Sequence, residues 1–99
     1  MKSLPPDVMP YKRTPEFDAD SVPAGLLKSH DTRPGVWGQI VVLEGELLYR
    51  ILEPVPEEVL LTPARNGVVE PTVRHEVVPR PGVRFYVEFH RAPDAGAPA

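Results

Sequence analysis

Fourteen prolines are spread along 99 residues, and nothing else in this chain limits its fold as strongly. Each fixes φ at about −65° and removes a backbone donor, so a long helix cannot run through them. Short strands fit between them, with proline left to sheet edges, strand starts and turns. The spacing therefore predicts an all-β chain.

The runs between prolines read accordingly. Met1 to Pro23 holds five prolines, with Tyr11 to Thr14 the plausible strand, so residues 1–10 are expected as an extended arm. Leu26 to His30 reads as a short strand ending on a histidine, and Arg33-Pro34-Gly35 as a turn. Val36 to Leu43 is rich in β-branched and aromatic residues. Alternation puts Trp37, Gln39, Val41 and Leu43 on one face and Val36, Gly38, Ile40 and Val42 on the other. Both faces are largely apolar, which predicts a central strand. Glu44-Gly45 reads as a tight turn returning Leu47 to Leu52 antiparallel in a hairpin. Glu57 to Thr62, Val68 to Glu70, Val73 to Val78 and Val83 to Arg91 complete about seven or eight strands, a number and spacing that favour a sandwich or small barrel. The last stretch, 92–99, is expected as a disordered tail on a single domain.

A domain this short buries only about two thirds of the surface of its unfolded chain, so help from a metal or a second subunit is expected. The chain has no cysteine, which leaves histidine and carboxylate as metal donors. Eleven basic and fourteen acidic residues are interspersed, with a net charge of −3, which argues against nucleic acid as a partner. No segment approaches the roughly 20 apolar residues of a membrane span, and MKSLPPDVMPYKR holds no apolar run long enough to be expected as a signal peptide. A soluble, cytoplasmic protein is the expectation. Gln39 and Asn66 are the amides present, and with proline-rich loops this resembles compositions found in thermophiles.

Two histidines stand out. Glu70 and His75 are separated by Pro-Thr-Val-Arg, the length of a four-residue hairpin loop. Facing residues across a hairpin have Cβ atoms about 4.5–5.5 Å apart, close enough to share one cation. His75 alternates with Val73 and Val77, so on an inward face its imidazole needs a metal, a carboxylate or a backbone carbonyl as partner. His30 on its own reads equally as a solvated side chain ending a strand. In RFYVEFHR, Phe85, Val87 and Phe89 share one face and Arg84, Tyr86, Glu88 and His90 the other, which turns Glu88 away if the phenylalanines face inward. His90 is expected at the surface. Trp37 and Tyr86 are candidates to line a pocket, and Arg84 or Arg50 to receive an anion.

GLLKSHDT, VWGQIVVLEG, NGVVEPTVRHEV and RFYVEFHR together resemble the small cupin family named after the N-terminal domain of tellurite resistance protein TehB and the YeaR-like proteins, from about Leu4 to Arg91. The resemblance implies a cupin-like double-stranded β-helix, a small jelly-roll barrel with a divalent metal inside. Under it, His30 matches the first histidine of the first cupin motif, Gly45 its closing glycine, and His75 the histidine of the second motif. Thr32 stands where the first motif has its second histidine, and Trp37 or Gly38 where it has its glutamate. Glu70, then Glu88, are the available replacements, giving a ligand set of His30, His75, Glu70 and Glu88 for Zn, Fe, Mn or Ni.

Three protein ligands with an open position suit a metal-assisted reaction as well as binding. The resemblance therefore implies a metal-binding homodimer that takes a small molecule or a toxic oxyanion in a stress response. A metal-dependent oxygenase or isomerase acting on a small organic acid is the enzyme reading, and a metal-free dimeric interaction module the third. Some family members carry a methyltransferase after this domain, and no glycine-rich nucleotide-binding stretch occurs in these residues.

Overall fold

A computed structural model describes residues 1–27 and 31–93. Among them the strands are β1 (Met9–Arg13), β2 (Phe17–Asp18), β3 (Trp37–Glu44), β4 (Leu47–Ile51), β5 (Glu57–Leu61), β6 (Gly67–Val69), β7 (His75–Pro79) and β8 (Arg84–Arg91). One sheet runs β1-β8-β3-β6, with β2 also paired to β8, and the other runs β5-β4-β7. Every pairing is antiparallel. The chain is all-β, as the proline spacing predicts. No helix among the described residues is long and apolar enough to cross a membrane.

The prolines obey the logic that predicts them. Pro10 and Pro79 are the two inside strands, and both β1 and β7 lie at sheet edges, where a missing donor is tolerated. The central strands β3, β4 and β8 contain none. Of these, β3 and β8 pair in continuous register from Trp37↔His90 to Val42↔Phe85 and, past a register shift, at Glu44↔Arg84.

The sheets pack face to face, with β3 to β8 contributing alternate residues. Ile40 and Val42 of β3, Val69 of β6, and Phe85 and Val87 of β8 meet Leu47, Tyr49 and Ile51 of β4, Val59 and Leu61 of β5, and Val77 of β7 in one buried cluster. Tyr49 is fully buried, and its hydroxyl donates to the Val68 carbonyl at 3.1 Å. Since Tyr49 belongs to β4 and Val68 to β6, this hydrogen bond ties one sheet to the other. Burial pushes the Tyr49 hydroxyl far above its usual range, and the Glu70 and Glu57 carboxylates push it further, so it stays a neutral donor.

Both expected hairpins turn out to be crossings between sheets. β3 pairs with β6 and β8, whereas β4 pairs with β5 and β7, so Glu44-Gly45 carries the chain round a corner. Both edges of each strand are already occupied, which leaves them no way to pair with each other. The register shifts between Val42 and Glu44, a bulge that bends β3 towards this corner. Gly45 completes it at φ 75°, and a Cβ there would lie 3.0 Å from Val83 Cα and 3.2 Å from the Gly82 carbonyl oxygen. The segment between Glu70 and His75 likewise leaves β6 in one sheet and enters β7 in the other. Leu26, expected in a strand, closes a 3₁₀ turn over Ala24–Leu26, and the His30 end of that strand lies outside the described residues.

Two substitutions test this architecture. Gly45→Ala is expected to lower stability by about 1–2 kcal/mol or more, from the left-handed backbone alone. Gly25→Ala, which meets nothing within 4 Å, should be close to neutral in the same urea titration. Equal midpoints for the two would contradict the corner. Tyr49→Phe should cost ~1–2 kcal/mol by the same titration, because it leaves the Val68 carbonyl without its donor.

Candidate functional site

The inner faces do not fill the space between the sheets completely. A cavity of about 250 Å³ remains, walled by Ile40, Val69, Val77, Phe85, Val87 and Phe89, with Phe17, Pro23, Gly25 and Leu26 closing one side. Among the described residues its polar wall groups are Thr14, Thr32 and His75. Thr14 Oγ1 accepts from the Val87 amide at 3.0 Å and lies 2.9 Å from the Pro15 carbonyl. Thr32 Oγ1 lies 3.0 Å from the Val36 carbonyl and 3.3 Å from that of Glu70, and its own carbonyl accepts from the Thr72 amide at 3.1 Å. The residue standing where a cupin motif would have a histidine thus pins the loop before β3 to the segment after β6.

His75 opens β7 on its inward face and is only 3% exposed. Its Nδ1 lies 3.0 Å from the Val73 carbonyl, which places a proton on Nδ1 and, in the neutral ring, an acceptor lone pair on Nε2. Tyr49 meets the ring edge-on at 5.8 Å between centroids. The bond to Val73 and this contact fix the imidazole in the cavity wall.

The other expected site residues lie elsewhere. Glu70 lines a separate surface hollow with Met1, Lys2 and Glu53, and its carboxylate is 3.2 Å from Lys2 Nζ. The supposed hairpin partner of His75 is therefore engaged outside the cavity, because β6 and β7 belong to different sheets. Glu88 faces away from the interior, as alternation on β8 predicts, and lies 3.0 Å from His90 Nε2. Expected at the surface, His90 is instead buried at 6% exposure: its cross-strand neighbours Pro10 and Trp37 cover it on both sides. Trp37, Tyr86 and Arg84 do not line the cavity either. Trp37 and Tyr86 lie on the outer face with Arg13 stacked over the Tyr86 ring, and Arg84 pairs with Glu16 and Glu44, each at 2.9 Å. Arg50 is held by Glu58 at 2.7 Å and Glu76 at 3.5 Å. His30 lies outside the described residues.

Among the described residues no three histidines, aspartates or glutamates converge on a point that could hold a metal ion. The one imidazole and two backbone-bonded hydroxyls that the described residues supply to this apolar wall do not by themselves fit a divalent ion, which takes three or more imidazole or carboxylate donors in a chain without cysteine.

A second space of about 390 Å³ adjoins the first at Thr32 and Phe89. Its walls carry Tyr11, Lys12, Asp31, Arg33, Val36 and Arg91. Sequence reasoning passed over this cleft, since its cations sit far apart in the chain and form no motif. One signal pointed to it: Arg91 continues the inward-facing series Phe85, Val87, Phe89 by two residues.

Comparison with known proteins agrees with the fold. The profile of the TehB-like domain family matches residues 12–87. Two proteins of Haemophilus influenzae strains, both named probable S-adenosyl-L-methionine-dependent methyltransferase TehB, are 35% and 34% identical over 71 residues, covering 68% of this chain and 25% of theirs. The chain thus spans about a quarter of the length of these relatives. The crystal structure of TehB from Haemophilus influenzae superposes with a TM-score of 0.81 at 27% identity, over 88% of this chain and 32% of that one. A crystal structure of an E. coli protein superposes with a TM-score of 0.82 at 24% identity, over 94% of this chain and 99% of that one, which shows the shared fold. With the family profile matching most of its length, this chain belongs to the TehB-like domain family.

Proposed function

We propose that this chain is a small-molecule-binding module that holds an apolar organic group between its two sheets, with His75 as the polar contact in the wall. The apolar cavity carries this reading. Protein interiors are packed as densely as organic crystals, so an apolar space of this size forgoes contacts that an occupant would restore. An engineered apolar cavity of roughly 150 Å³ is enough to take up benzene. Among the described residues no lysine or arginine lines the cavity, so a bare oxyanion would lose its hydration there without a partner among them. The toxic oxyanion implied by the family resemblance suits this wall poorly, and an uncharged body suits it well.

The relatives' name, that of a methyltransferase, is compatible with such a role. A domain spanning a quarter of their length would gather or shield a small molecule for the rest of such a protein. Within this chain we assign no catalytic step.

A metal-holding cavity is the second reading, favoured by the bond from His75 Nδ1 to the Val73 carbonyl. Ligating imidazoles commonly use their other nitrogen in this way. Elemental analysis of untagged protein separates the readings. Close to one Zn, Fe, Mn or Ni per chain, lost in His75→Ala, would establish the metal, whereas metal far below one per chain would remove it.

The apolar reading predicts that toluene near its solubility limit raises the melting temperature of the natural chain, since a ligand bound only by the folded state stabilises it. Val77→Phe, which places a ring in the cavity, should abolish that rise while keeping the urea m-value of a folded domain. An equal rise in both proteins would contradict binding between the sheets.

A further inference from the structure

The cleft beside the cavity differs from it in chemistry. Among the described residues it gathers Lys12, Arg33 and Arg91 against the carboxylate of Asp31, on a chain whose net charge is −3. Among the described residues none of these three cations forms an ion pair, whereas Arg50 and Arg84 are each held by two glutamates. The cations are also placed by the fold. Lys12 sits opposite Phe89 in the β1–β8 register. Arg91 ends β8 with its guanidinium 4.1 Å above the Tyr11 ring, a stacking that limits its freedom before any ligand arrives. Arg33 is fixed at the rim by a turn in which the Val36 amide donates to its carbonyl at 3.1 Å.

Cavity and cleft share Thr32 and Phe89 as their common boundary. Along β8 the inward series runs Phe85, Val87, Phe89 and then Arg91, apolar in the interior and cationic at the mouth. We propose that the two spaces form one site for a small amphipathic carboxylate, its apolar body between the sheets and its carboxylate held by Arg33, Arg91 and Lys12. The proposal rests on the cavity reading above and adds the charge and orientation of the ligand. Each part of the site supplies what the other lacks. The cavity alone cannot distinguish one apolar molecule from another of the same size, and the exposed cations alone would hold an anion weakly and be screened by salt. A guanidinium can meet a carboxylate through two parallel hydrogen bonds, a geometry that a neutral amide does not reproduce.

Isothermal titration calorimetry with 3-phenylpropionate and its uncharged analogue 3-phenylpropanamide tests this on the whole chain at low ionic strength. The carboxylate is expected to bind at least tenfold more tightly, with a preference that shrinks as salt is added. Arg33→Gln with Arg91→Gln should bring the two ligands to within threefold while leaving amide affinity and the melting temperature nearly unchanged, since both side chains are exposed. Equal affinities in the natural chain, or a preference that survives the double substitution, would overturn the cationic head-group site. Toluene binding distinguishes that failure from failure of the cavity itself: toluene bound without a carboxylate preference leaves the cavity reading standing. Carboxylate binding that persists undiminished in Val77→Phe would show the cleft acting alone and overturn the single site.

Discussion

The hydrogen bond from Tyr49 to the Val68 carbonyl crosses the interior from one sheet to the other, and the rest of the molecule can be understood from it. It ties β4 to β6 across the interior, and Tyr49 shares one buried cluster with Leu47, Leu61 and Phe85. Two antiparallel sheets could collapse until their side chains filled every gap, as most interiors do. Here a space is left between the sheets, and its wall is predominantly apolar. The same tyrosine meets the His75 ring edge-on, so the inter-sheet tie and the polar wall of the cavity are one connected unit.

Much of this arrangement is written locally, and some is not. Proline spacing and β-branched runs place β3 and β8 to within about a residue of their observed limits, because strand propensity and turn chemistry act over a few neighbours. Alternation on β8 correctly turns Phe85 and Val87 inward and Glu88 outward. The failures share a cause. A residue at positive φ, Gly45 in one case and Thr72 in the other, serves a hairpin and a sheet-to-sheet corner equally well, so Glu44-Gly45 and the stretch from Glu70 to His75 do not reveal which strand pairs with which. Once β6 and β7 separate into different sheets, Glu70 leaves the side of His75 and finds Lys2 instead. His90 is buried by Pro10 and Trp37, neighbours 80 and 53 positions away that only the folded register brings together.

Thr32 shows the same dependence on tertiary context from the functional side. In the motif comparison it marks a missing metal ligand, yet in the fold it bonds the carbonyls of Val36 and Glu70 and forms part of the wall shared by cavity and cleft. The exchange fits the proposed reading, in which the site is built from shape and apolar surface with charge confined to its mouth, and the TehB-like fold would serve as a container whose occupant is selected by side chains around Phe89.

The most direct measurement is an isotope-filtered nuclear Overhauser experiment on the labelled chain with unlabelled 3-phenylpropionate. Binding between the sheets predicts contacts from the ligand ring to the methyl groups of Ile40, Val69 and Val77, and from the methylene beside the carboxylate to Phe89. Contacts confined to Trp37 and Val41 on the outer face, with none to the interior methyl groups, would contradict it.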